Sequence, residues 1–415
     1  MTAPPLHRRN QACRLCGSRD IELVLALTAT PPANAFVPPE RLAEPQPVFP
    51  LDVHLCRDCG HLQLVDIVDP EYLFGHYVYT SGAAPVMVAH LRSYAQSVIG
   101  RFRPGASDLV VEAGSNDGTF LRPFQEAGIR ILGVDPARNI AAKANAAGIA
   151  TLAAFFNAGT AQSVRAQHGA ARIVAANHVF AHVADMQGFV TGVRELLAPD
   201  GVFVFEAGYL VDVYEKTLFD QIYHEHLDYH RVAPLRRFFA ANGLEFFDAE
   251  RVDIQGGALR GFAGRPGAHP VSQALAQLEA YETKIGLDRA ATFRDYAARI
   301  DRCRTELTAL LSDLKRQGKR IAGYGAPAKA TTLMYHFGLD RDAIEYIVDD
   351  SPLKVGLYSP GLHVPVLPVC TIYERRPDYL VMLAWNFAAA IMGKHAAFRD
   401  GGGHFIVPLP QLSVF

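Results

Sequence analysis

Residues 110–118 read VVEAGSNDG, a short apolar run that leads into an acid, a glycine turn and a second acid. The apolar run is typical of a buried strand, and the two glycines are typical of a turn from a parallel strand into a helix. Further along, the apolar runs RILGVD, RIVAAN and DGVFVFEA alternate with segments of helical periodicity. Short apolar strands separated by helices predict a parallel sheet with helices on both faces. The stretch therefore opens a doubly wound, Rossmann-like α/β domain.

The chemistry of this turn favours one cofactor over another. A dinucleotide fingerprint, G-x-G-x-x-G, brings backbone amides against a pyrophosphate, but Asn116 replaces the middle glycine. Glu112 and Asp117 would repel phosphates, whereas S-adenosylmethionine carries a sulfonium, an ammonium and no phosphate. Asp135 ends the next strand seventeen residues past Gly118, where an acid can accept both ribose hydroxyls. The pattern favours S-adenosylmethionine, and a glycine turn of another α/β enzyme with a capping aspartate is the alternative.

Four of the six cysteines form two pairs of identical spacing, Cys13-Arg-Leu-Cys16 and Cys56-Arg-Asp-Cys59, each followed by glycine. Thiolates two residues apart on a tight turn reach one metal at tetrahedral angles, so the pattern predicts paired zinc knuckles. A disulfide pair is the alternative, but disulfides are rare in a reducing cytosol. Since four sulfur ligands leave no open coordination position, the zinc is expected to be structural.

The C-terminal part of the chain repeats the α/β pattern. Residues 270–317 have helical apolar spacing that ends at Gly318, and the strand-like runs KRIAGYG, EYIVDD, YLVMLAW and HFIVPLP follow. We therefore expect a zinc-binding module at 1–75, a central Rossmann-like domain at 76–265 and a second Rossmann-like domain at 266–415.

Composition restricts the class of partner. The 415 residues have a net charge of −2, with Lys and Arg scattered along the chain, so the basic surface of a nucleic-acid binder is missing. The sequence has neither an apolar membrane span nor the apolar core of a signal peptide. We expect a cytoplasmic protein, monomeric or a small homo-oligomer, that acts on a small molecule.

Six motifs in order, the zinc knuckles, EAGSNDGTFL, NHVFAHVAD, FDQIYHEH, IAGYGAPAKATT and DDSPLKVGLYSPGLHVPV, together carry a specific resemblance. From Cys13 to the C-terminus the chain resembles the nucleotide-sugar C-methyltransferases that act on carbon 3 of 4-keto-deoxysugars. The resemblance implies a zinc module, a central S-adenosylmethionine domain and a C-terminal Rossmann-like domain. That last domain would bind no cofactor but would help to hold the sugar nucleotide, commonly a thymidine one.

The resemblance also implies two sets of site residues. The cofactor pocket would be lined by residues of the first α/β domain, with Phe155 or Phe156 and Asn157 near the adenine: Glu112, Gly114, Asn116, Asp117, Asp135, Phe156 and Asn177. The active-site set would comprise two tyrosines, two histidines and a glutamate: Tyr79, His182, Tyr223, Glu225 and His226.

The reaction explains why the segment 219–230, FDQIYHEHLDYH, is so rich in histidine. Carbon 3 becomes acidic when carbon 4 is a ketone that holds the charge as an enolate. A base with a pKa near neutral is needed, and histidine provides one. We take His226 as this base and Glu225 as a group that could orient an imidazole. Tyr223 or His182 could donate to the oxyanion.

Other interpretations of these residues remain open. An H-x-H pair with acids also suits a metal, although we expect His224 and His226 to point to opposite faces of a strand, which disfavours joint ligation. Lys329, in the first turn of a helix after a glycine turn, is a candidate for binding the diphosphate, with Tyr324 beside it. Arg260, after a glycine pair, is a candidate for closing on the sugar, and a bulged strand is the alternative.

Three rival functions are compatible with parts of the pattern. An S-adenosylmethionine-dependent O- or N-methyltransferase would keep the cofactor and need no 4-keto group. An NAD(P) oxidoreductase would use both Rossmann-like halves, but the missing glycine at 116 disfavours it. A zinc-ribbon protein that binds nucleic acid or another protein would explain the cysteines, but it would assign no function to the residues from Tyr223 to His226.

Overall fold

The computed structural model describes residues 5–75, 77 and 80–415. The chain divides into two compact units, each assembled from three separate segments. Unit 1 contains Met1–Glu22, Leu55–Val211 and Leu227–Arg289, and unit 2 contains Leu23–His54, Asp212–His226 and Ala290–Phe415. The domain limits expected from the sequence, at residues 75 and 265, stay a prediction.

The strands of the described residues are short apart from four of eight or more residues in the N-terminal and central regions. In chain order they are β1 (His7–Arg9), β2 (Ile21–Thr30), β3 (Phe49–Cys56), β4 (Leu62–Leu64), β5 (Asp66–Val68), β6 (Leu109–Ala113), β7 (Arg130–Val134), β8 (Thr151–Leu152), β9 (Ala171–Asn177), β10 (Leu197–Gly208), β11 (Asp228–Tyr229), β12 (Glu245–Val252), β13 (Ala258–Gly264), β14 (Ile321–Tyr324), β15 (Ile347–Asp349), β16 (Val366–Pro368), β17 (Tyr379–Met382), β18 (His404–Val407) and β19 (Ser413–Val414).

The α-helices lie mostly between these strands. In chain order they are α1 (Pro70–Phe74), α2 (Pro85–Phe102), α3 (Arg122–Glu126), α4 (Arg138–Ala146), α5 (Ala158–His168), α6 (Met186–Leu196), α7 (Leu210–Glu215), α8 (Val232–Ala241), α9 (Gln273–Ile285), α10 (Ala290–Arg316), α11 (Ala328–Phe337), α12 (Thr371–Arg375), α13 (Ala388–Lys394) and α14 (Ala396–Asp400).

Unit 1 is built on a seven-stranded sheet with the order β12-β13-β10-β9-β6-β7-β8. Strands β6 to β10 run parallel, and β13 pairs antiparallel with both β10 and β12. The residues of β6 and the centre of β10 are buried, because helices cover both faces of the parallel part. The carboxyl ends of β6, β7 and β9 therefore meet at one edge of the sheet.

The core of unit 1 packs one face of α2 against this sheet. Leu91, Tyr94, Ala95 and Val98 recur at helical spacing on α2, and each is at most 4% exposed. They belong to one hydrophobic cluster with sheet residues such as Val110. The helical spacing of the apolar residues in α2 thus corresponds to the face of the helix that packs on the sheet.

Unit 2 contains a six-stranded sheet with the order β16-β15-β14-β17-β18-β19. Its first five strands are parallel, and β19 is antiparallel to β18. The long helix α10 buries one stripe that includes Phe293, Ile300 and Leu307. The predicted α/β class with two Rossmann-like sheets is confirmed. Within the described ranges, every helix is too short or too polar to cross a membrane.

Candidate active site and zinc centre

The glycine turn after β6 brings the end of β7 beside the end of β6. Gly114 has φ +69°, and a Cβ at this position would lie 2.2 Å from Val179 Cγ2, so the turn requires glycine. The main-chain N–H of Asn116 donates to Asp135 Oδ2 at 2.8 Å, and that of Ala137 donates to Oδ1 at 2.9 Å. Asp135 is therefore held at the carboxyl edge of the sheet, where open α/β sheets bind their ligands.

A buried pair of polar side chains lies next to this turn. The side-chain amide of Asn177, the last residue of β9, donates to Glu112 Oε1 at 2.8 Å. Glu112 is only 3% exposed, and burial raises its pKa well above the ordinary value, against the opposing effect of the hydrogen bond from Asn177. Burial also raises the pKa of Asp135.

Several acceptor atoms at this edge are available for a ligand. Glu112 Oε2, Asn177 Oδ1 and Ser115 Oγ are buried and have no hydrogen-bond partner among the described residues. Buried acceptors without donors are costly, so a ligand that brings hydroxyl donors and positive charge is favoured here. The ribose and the charged methionyl group of S-adenosylmethionine fit this donor and charge requirement.

Two further predicted cofactor residues have contacts of their own. Asp117 accepts the main-chain N–H of Gly82 at 2.8 Å and the hydroxyl of Thr119 at 2.6 Å. The Phe156 ring packs on Phe189 with centroids 5.1 Å apart. Asp117 thus connects the segment that follows residue 79 to the glycine turn. Tyr79 itself lies outside the described residues.

Arg260 is buried in a network of unit 1. Its Nε donates to Glu206 Oε1 at 2.7 Å, and its guanidinium lies 3.8 Å from the centroid of the Tyr94 ring. His90 Nε2 lies 2.8 Å from the other carboxylate oxygen of Glu206. The charge of Arg260 is therefore balanced within unit 1, and its contact with the sugar stays a prediction.

The predicted active-site set is divided between the two units. His182 belongs to unit 1, where it ends a 3-10 helix, Phe180–His182, and its ring stacks on Phe74 with centroids 5.7 Å apart. Tyr223, Glu225 and His226 belong to unit 2.

The expected strand at His224 and His226 is wrong. The main-chain N–H of His226 donates to the carbonyl of Tyr223 at 2.8 Å, which closes a four-residue turn. The imidazole of His224 is 1% exposed, and its Nε2 lies 3.2 Å from the carbonyl oxygens of both Phe49 and Pro50. These tertiary contacts favour a turn over an extended backbone.

The same turn fixes the imidazole of His226. Its Nδ1 lies 2.8 Å from the carbonyl oxygen of Gln221, and because a carbonyl only accepts, Nδ1 carries the proton. The ring also packs on Tyr223, with centroids 4.1 Å apart. A neutral imidazole in this tautomer has its lone pair on Nε2, as a general base requires.

Two partners of Glu225 were missed by the sequence analysis. Asn34 donates its side-chain amide to Glu225 Oε1 at 2.8 Å, although 191 residues separate them. Burial lowers the pKa of Lys354, and Asp349 and Glu225 oppose that shift through their negative charge. Asn34 lies in a proline-rich loop that offers no chemical signal, whereas Lys354 lies in the motif DDSPLK and could have been singled out.

The two candidate diphosphate residues are both buried in unit 2. Lys329 Nζ lies 3.3 Å from Asp220 Oδ2 and 4.3 Å from the centroid of the Trp385 ring. The Tyr324 hydroxyl donates to Asp350 Oδ2 at 3.1 Å, and burial raises its pKa above the ordinary value. Lys329 does lie in the first turn of α11, as expected, but its ammonium is directed to a carboxylate of the chain.

The four cysteines of the two knuckles converge in unit 1. Their sulfur atoms all lie within 4.8 Å of one another, and the Cys13–Cys59 and Cys16–Cys56 sulfur pairs are 3.6 Å apart. Four thiolates bound to one zinc have sulfur separations of about 3.8 Å, whereas a disulfide bond measures about 2.0 Å. All four cysteines are free, so the arrangement fits zinc and not a disulfide pair.

Comparisons with known families agree with this combination of features. Three family models match the chain. A zinc-binding domain family matches residues 13–74, a methyltransferase domain family matches residues 87–248, and a C-methyltransferase C-terminal domain family matches residues 253–410. The chain is therefore a methyltransferase with a zinc-binding domain. Its cofactors are S-adenosylmethionine and zinc.

One curated relative extends the match to nearly the full length. The chain is 38% identical over 400 residues to the C-methyltransferase NovU of Streptomyces niveus, covering 96% of this chain and 95% of NovU. The chain belongs to the C-methyltransferase family that includes NovU.

Two similar solved structures each cover less than half of the chain. Magnesium protoporphyrin IX methyltransferase from Synechocystis, with bound S-adenosylmethionine, is 16% identical, with a TM-score of 0.33 over 43% of this chain and 81% of its own. The CcbJ methyltransferase from Streptomyces caelestis is also 16% identical, with a TM-score of 0.33 over 42% of this chain and 89% of its own.

Proposed function

We propose that this C-methyltransferase transfers a methyl group to carbon 3 of a nucleotide-linked 4-keto-deoxysugar in the cytoplasm, with thymidine as the nucleoside. The observation that carries the proposal is the 2.8 Å contact between His226 Nδ1 and the carbonyl oxygen of Gln221. It assigns the imidazole proton to Nδ1 and leaves the basic lone pair on Nε2. The motif resemblance and the similarity to NovU support the same reaction type.

Proton removal is the step that this chain must catalyse. His226 Nε2 takes the proton from carbon 3, and the electron pair of the broken C–H bond passes into an enolate whose charge rests on the carbon 4 oxygen. Histidine has an unperturbed pKa of about 6.5, so it is available as a base near neutral pH. Because the Nδ1–H group continues to donate to the Gln221 carbonyl, the imidazolium that forms stays in the same orientation.

Two groups are candidates for stabilising the enolate oxygen. Tyr223, whose ring packs on His226, brings a hydroxyl donor into the same turn, and His182 is the second candidate. Glu225, which is 3% exposed and directly precedes His226 in the chain, is the candidate for stabilising the imidazolium formed by proton transfer. When bound, S-adenosylmethionine supplies the methyl group, which leaves its sulfonium as the new carbon–carbon bond forms, so that the electron pair of the S–C bond stays on sulfur.

The remaining parts of the chain are assigned to binding. Glu112, Asp135 and Asn177 would hold the cofactor through the ribose hydroxyls and the charged methionyl end. The zinc module, residues 1–75, keeps a structural role, and the C-terminal domain, residues 266–415, helps to hold the sugar nucleotide. Tyr79 and Tyr324 remain candidate contacts of the substrate.

The proposal is tested by mass spectrometry in deuterated water. The protein is incubated with S-adenosylmethionine and a panel of nucleotide 4-keto-6-deoxysugars, beside His226→Ala and the control His404→Ala, whose imidazole is exposed on β18. We expect one added methyl group on a keto sugar with wild type and the control, and none with His226→Ala. Without cofactor, we expect deuterium to enter carbon 3 in the same His226-dependent manner.

Two results would overturn the proposal. Methylation of sugars that lack the 4-keto group would indicate an oxygen or nitrogen acceptor. Absence of both methylation and deuterium uptake across the panel would remove the enolate mechanism.

A further inference from the structure

The segment directly before the histidine turn is attached to helix α11. Asp220 lies in a 3-10 helix, Phe219–Gln221, and is 0% exposed. Its Oδ2 accepts the indole N–H of Trp385 at 2.6 Å and lies 3.3 Å from Lys329 Nζ. One residue past the 3-10 helix, the carbonyl of Ile222 accepts the hydroxyl of Thr332 at 2.7 Å. Two attachment points thus flank Gln221.

Gln221 is the residue whose carbonyl oxygen accepts the Nδ1 proton of His226. A small displacement of the main chain between Asp220 and Ile222 therefore changes the distance and angle of that hydrogen bond. Since a hydrogen bond weakens steeply as it bends, the preference for the Nδ1-protonated tautomer depends on this segment staying in place.

The ion pair of Lys329 is suited to fixing the Asp220 segment and not to binding a ligand. Lys329 is 8% exposed, and its ammonium lies between the carboxylate of Asp220 and the face of the Trp385 indole. Burial lowers the pKa of Lys329, and the negative charge of Asp220 and its hydrogen bond oppose that shift. Removing one partner of a buried ion pair is strongly destabilising, so Lys329 and Asp220 resist being separated.

The amino end of α11 is also occupied by a group of the chain itself. The main-chain N–H of Ala326 donates to Asp349 Oδ2 at 2.6 Å, and Lys354 Nζ donates to the carbonyl of Ala326 at 2.7 Å. A carboxylate at this turn repels a diphosphate. The Asp349 carboxylate and the pairing of Lys329 with Asp220 oppose the role in diphosphate binding that the sequence suggests for Lys329, whereas the Lys354 ammonium at the same turn would favour an anion.

We propose that Lys329, Thr332 and Trp385 are positioning residues that orient the catalytic imidazole of His226 through Asp220, Ile222 and the carbonyl of Gln221. The assignment of His226 as the base rests on the proposed function. The positioning itself is a property of the protein without substrate, so it is tested separately from the reaction.

The first test is nuclear magnetic resonance of histidine labelled with nitrogen-15 in the full-length protein, with the His226 signals assigned by His226→Gln. We compare wild type, Lys329→Met, Thr332→Val, Thr332→Ser and the control Lys315→Met, a partly exposed lysine that pairs with Glu345. Wild type, Thr332→Ser and the control should show the proton of His226 on Nδ1. Lys329→Met and Thr332→Val should show a mixture of tautomers or a shifted titration midpoint.

The second test measures methyl transfer to the accepted substrate. Displacement of a catalytic group by about 1 Å lowers turnover by about a hundredfold, so Lys329→Met and Thr332→Val should lose tenfold to a hundredfold in kcat with little change in KM. Thr332→Ser, which keeps the hydroxyl, should recover most of the activity.

Failure of this inference differs from failure of the proposed function. An unchanged His226 tautomer and titration in both Lys329→Met and Thr332→Val overturns the inference, whatever the substrate is. A rise in KM for the sugar nucleotide at unchanged kcat in Lys329→Met also overturns it, since that result indicates diphosphate binding. Because Thr332→Val is nearly isosteric, it remains informative if Lys329→Met fails to fold.

Discussion

Arg14 and Asp228 form a buried ion pair, with Arg14 Nε 3.0 Å from Asp228 Oδ1 and side-chain exposures of 2% and 0%. Arg14 lies between the cysteines of the first knuckle, and its guanidinium also donates to the main-chain carbonyls of Val183 and Ala184. Those two residues directly follow His182. The zinc knuckle is therefore attached to a segment that carries one candidate active-site residue and to strand β11.

Replacing Arg14 by methionine should destabilise unit 1. Burial alone raises the pKa of Asp228, but Arg14 and His61 outweigh it and hold the pKa well below its usual range. Arg14→Met leaves that carboxylate without its main partner, which typically costs roughly 3–5 kcal/mol in free energy of unfolding. Denaturant unfolding measures the loss.

The double variant Arg14→Met with Asp228→Asn is the control for this prediction. It removes the uncompensated charge, so it should recover part of the lost stability, as expected for a coupled pair. Zinc content should stay at one per chain in both variants. Additive losses in the double variant would contradict an energetic coupling between the two side chains.

Zinc removal should unfold the paired knuckles. The two knuckles share one geometry, since Gly17 N–H bonds to the Cys13 carbonyl at 3.0 Å and Gly60 N–H to the Cys56 carbonyl at 2.8 Å. Structural zinc contributes on the order of 10 kcal/mol to such modules, so Cys59→Ser should lose most of its zinc and melt at a lower temperature. Elemental analysis and thermal unfolding measure the two effects.

Cys370→Ser is the matched control, because Cys370 is exposed and lies outside the cluster. It should keep one zinc per chain and the melting temperature of wild type. If Cys59→Ser retained both a full equivalent of zinc and the wild-type melting temperature, Cys59 would not be a ligand on which the module depends.

Glu112→Gln should weaken binding of S-adenosylmethionine roughly tenfold to a hundredfold. A hydrogen bond to a charged group contributes about 1.5–3 kcal/mol, and the amide removes that charge. Calorimetric titration gives the dissociation constant. Glu126→Gln, an exposed glutamate paired with Arg92, is the control and should bind as wild type does.

The same site predicts how binding depends on pH. Burial raises the pKa of Glu112 in the free protein, whereas a ligand whose hydroxyls donate to the carboxylate favours its ionised form. Below the raised pKa, binding therefore releases a proton, and affinity rises with pH until the pH passes that pKa. This dependence should be reduced in Glu112→Gln. A pH dependence equal to that of wild type would place the cofactor away from Glu112.

Local patterns in the sequence were sufficient for the fold and for the zinc centre. The run VVEAGSNDG predicts β6 and its turn because the residues that determine them are adjacent in the sequence: the apolar residues of the buried strand and Gly114, whose φ is positive. The cysteine spacing predicts the metal centre for the same reason, since each knuckle is a local turn. The two knuckles lie far apart in the sequence. Their pairing could still be predicted, because the four cysteines together complete one tetrahedral zinc site.

The histidine segment was harder to predict because distant contacts determine its shape. Nothing near His224 in sequence reveals that it bonds to carbonyls of Phe49 and Pro50, 175 and 174 residues away. Likewise, Lys329 follows a glycine turn that suggests a phosphate site, yet its partner Asp220 lies 109 residues earlier. Residue type identified the chemistry of these groups, but tertiary packing decided their backbone geometry and partners.

The hydrogen bond between Asn34 and Glu225 gives the last prediction. The amide of Asn34 donates to Glu225 Oε1 at 2.8 Å, and Glu225 is 3% exposed. Asn34→Ala removes one donor, whereas Asn34→Asp puts a second carboxylate in contact with the first, and like charges at this distance raise the pKa of the pair. Asn34→Asp should therefore lose more kcat at neutral pH than Asn34→Ala, and the acid limb of its pH–rate profile should move to higher pH. Profiles of kcat for both variants and wild type, taken under saturating substrate, measure the difference. Identical profiles for the two variants would mean that the charge of Glu225 has no part in turnover, because only the aspartate adds charge beside it.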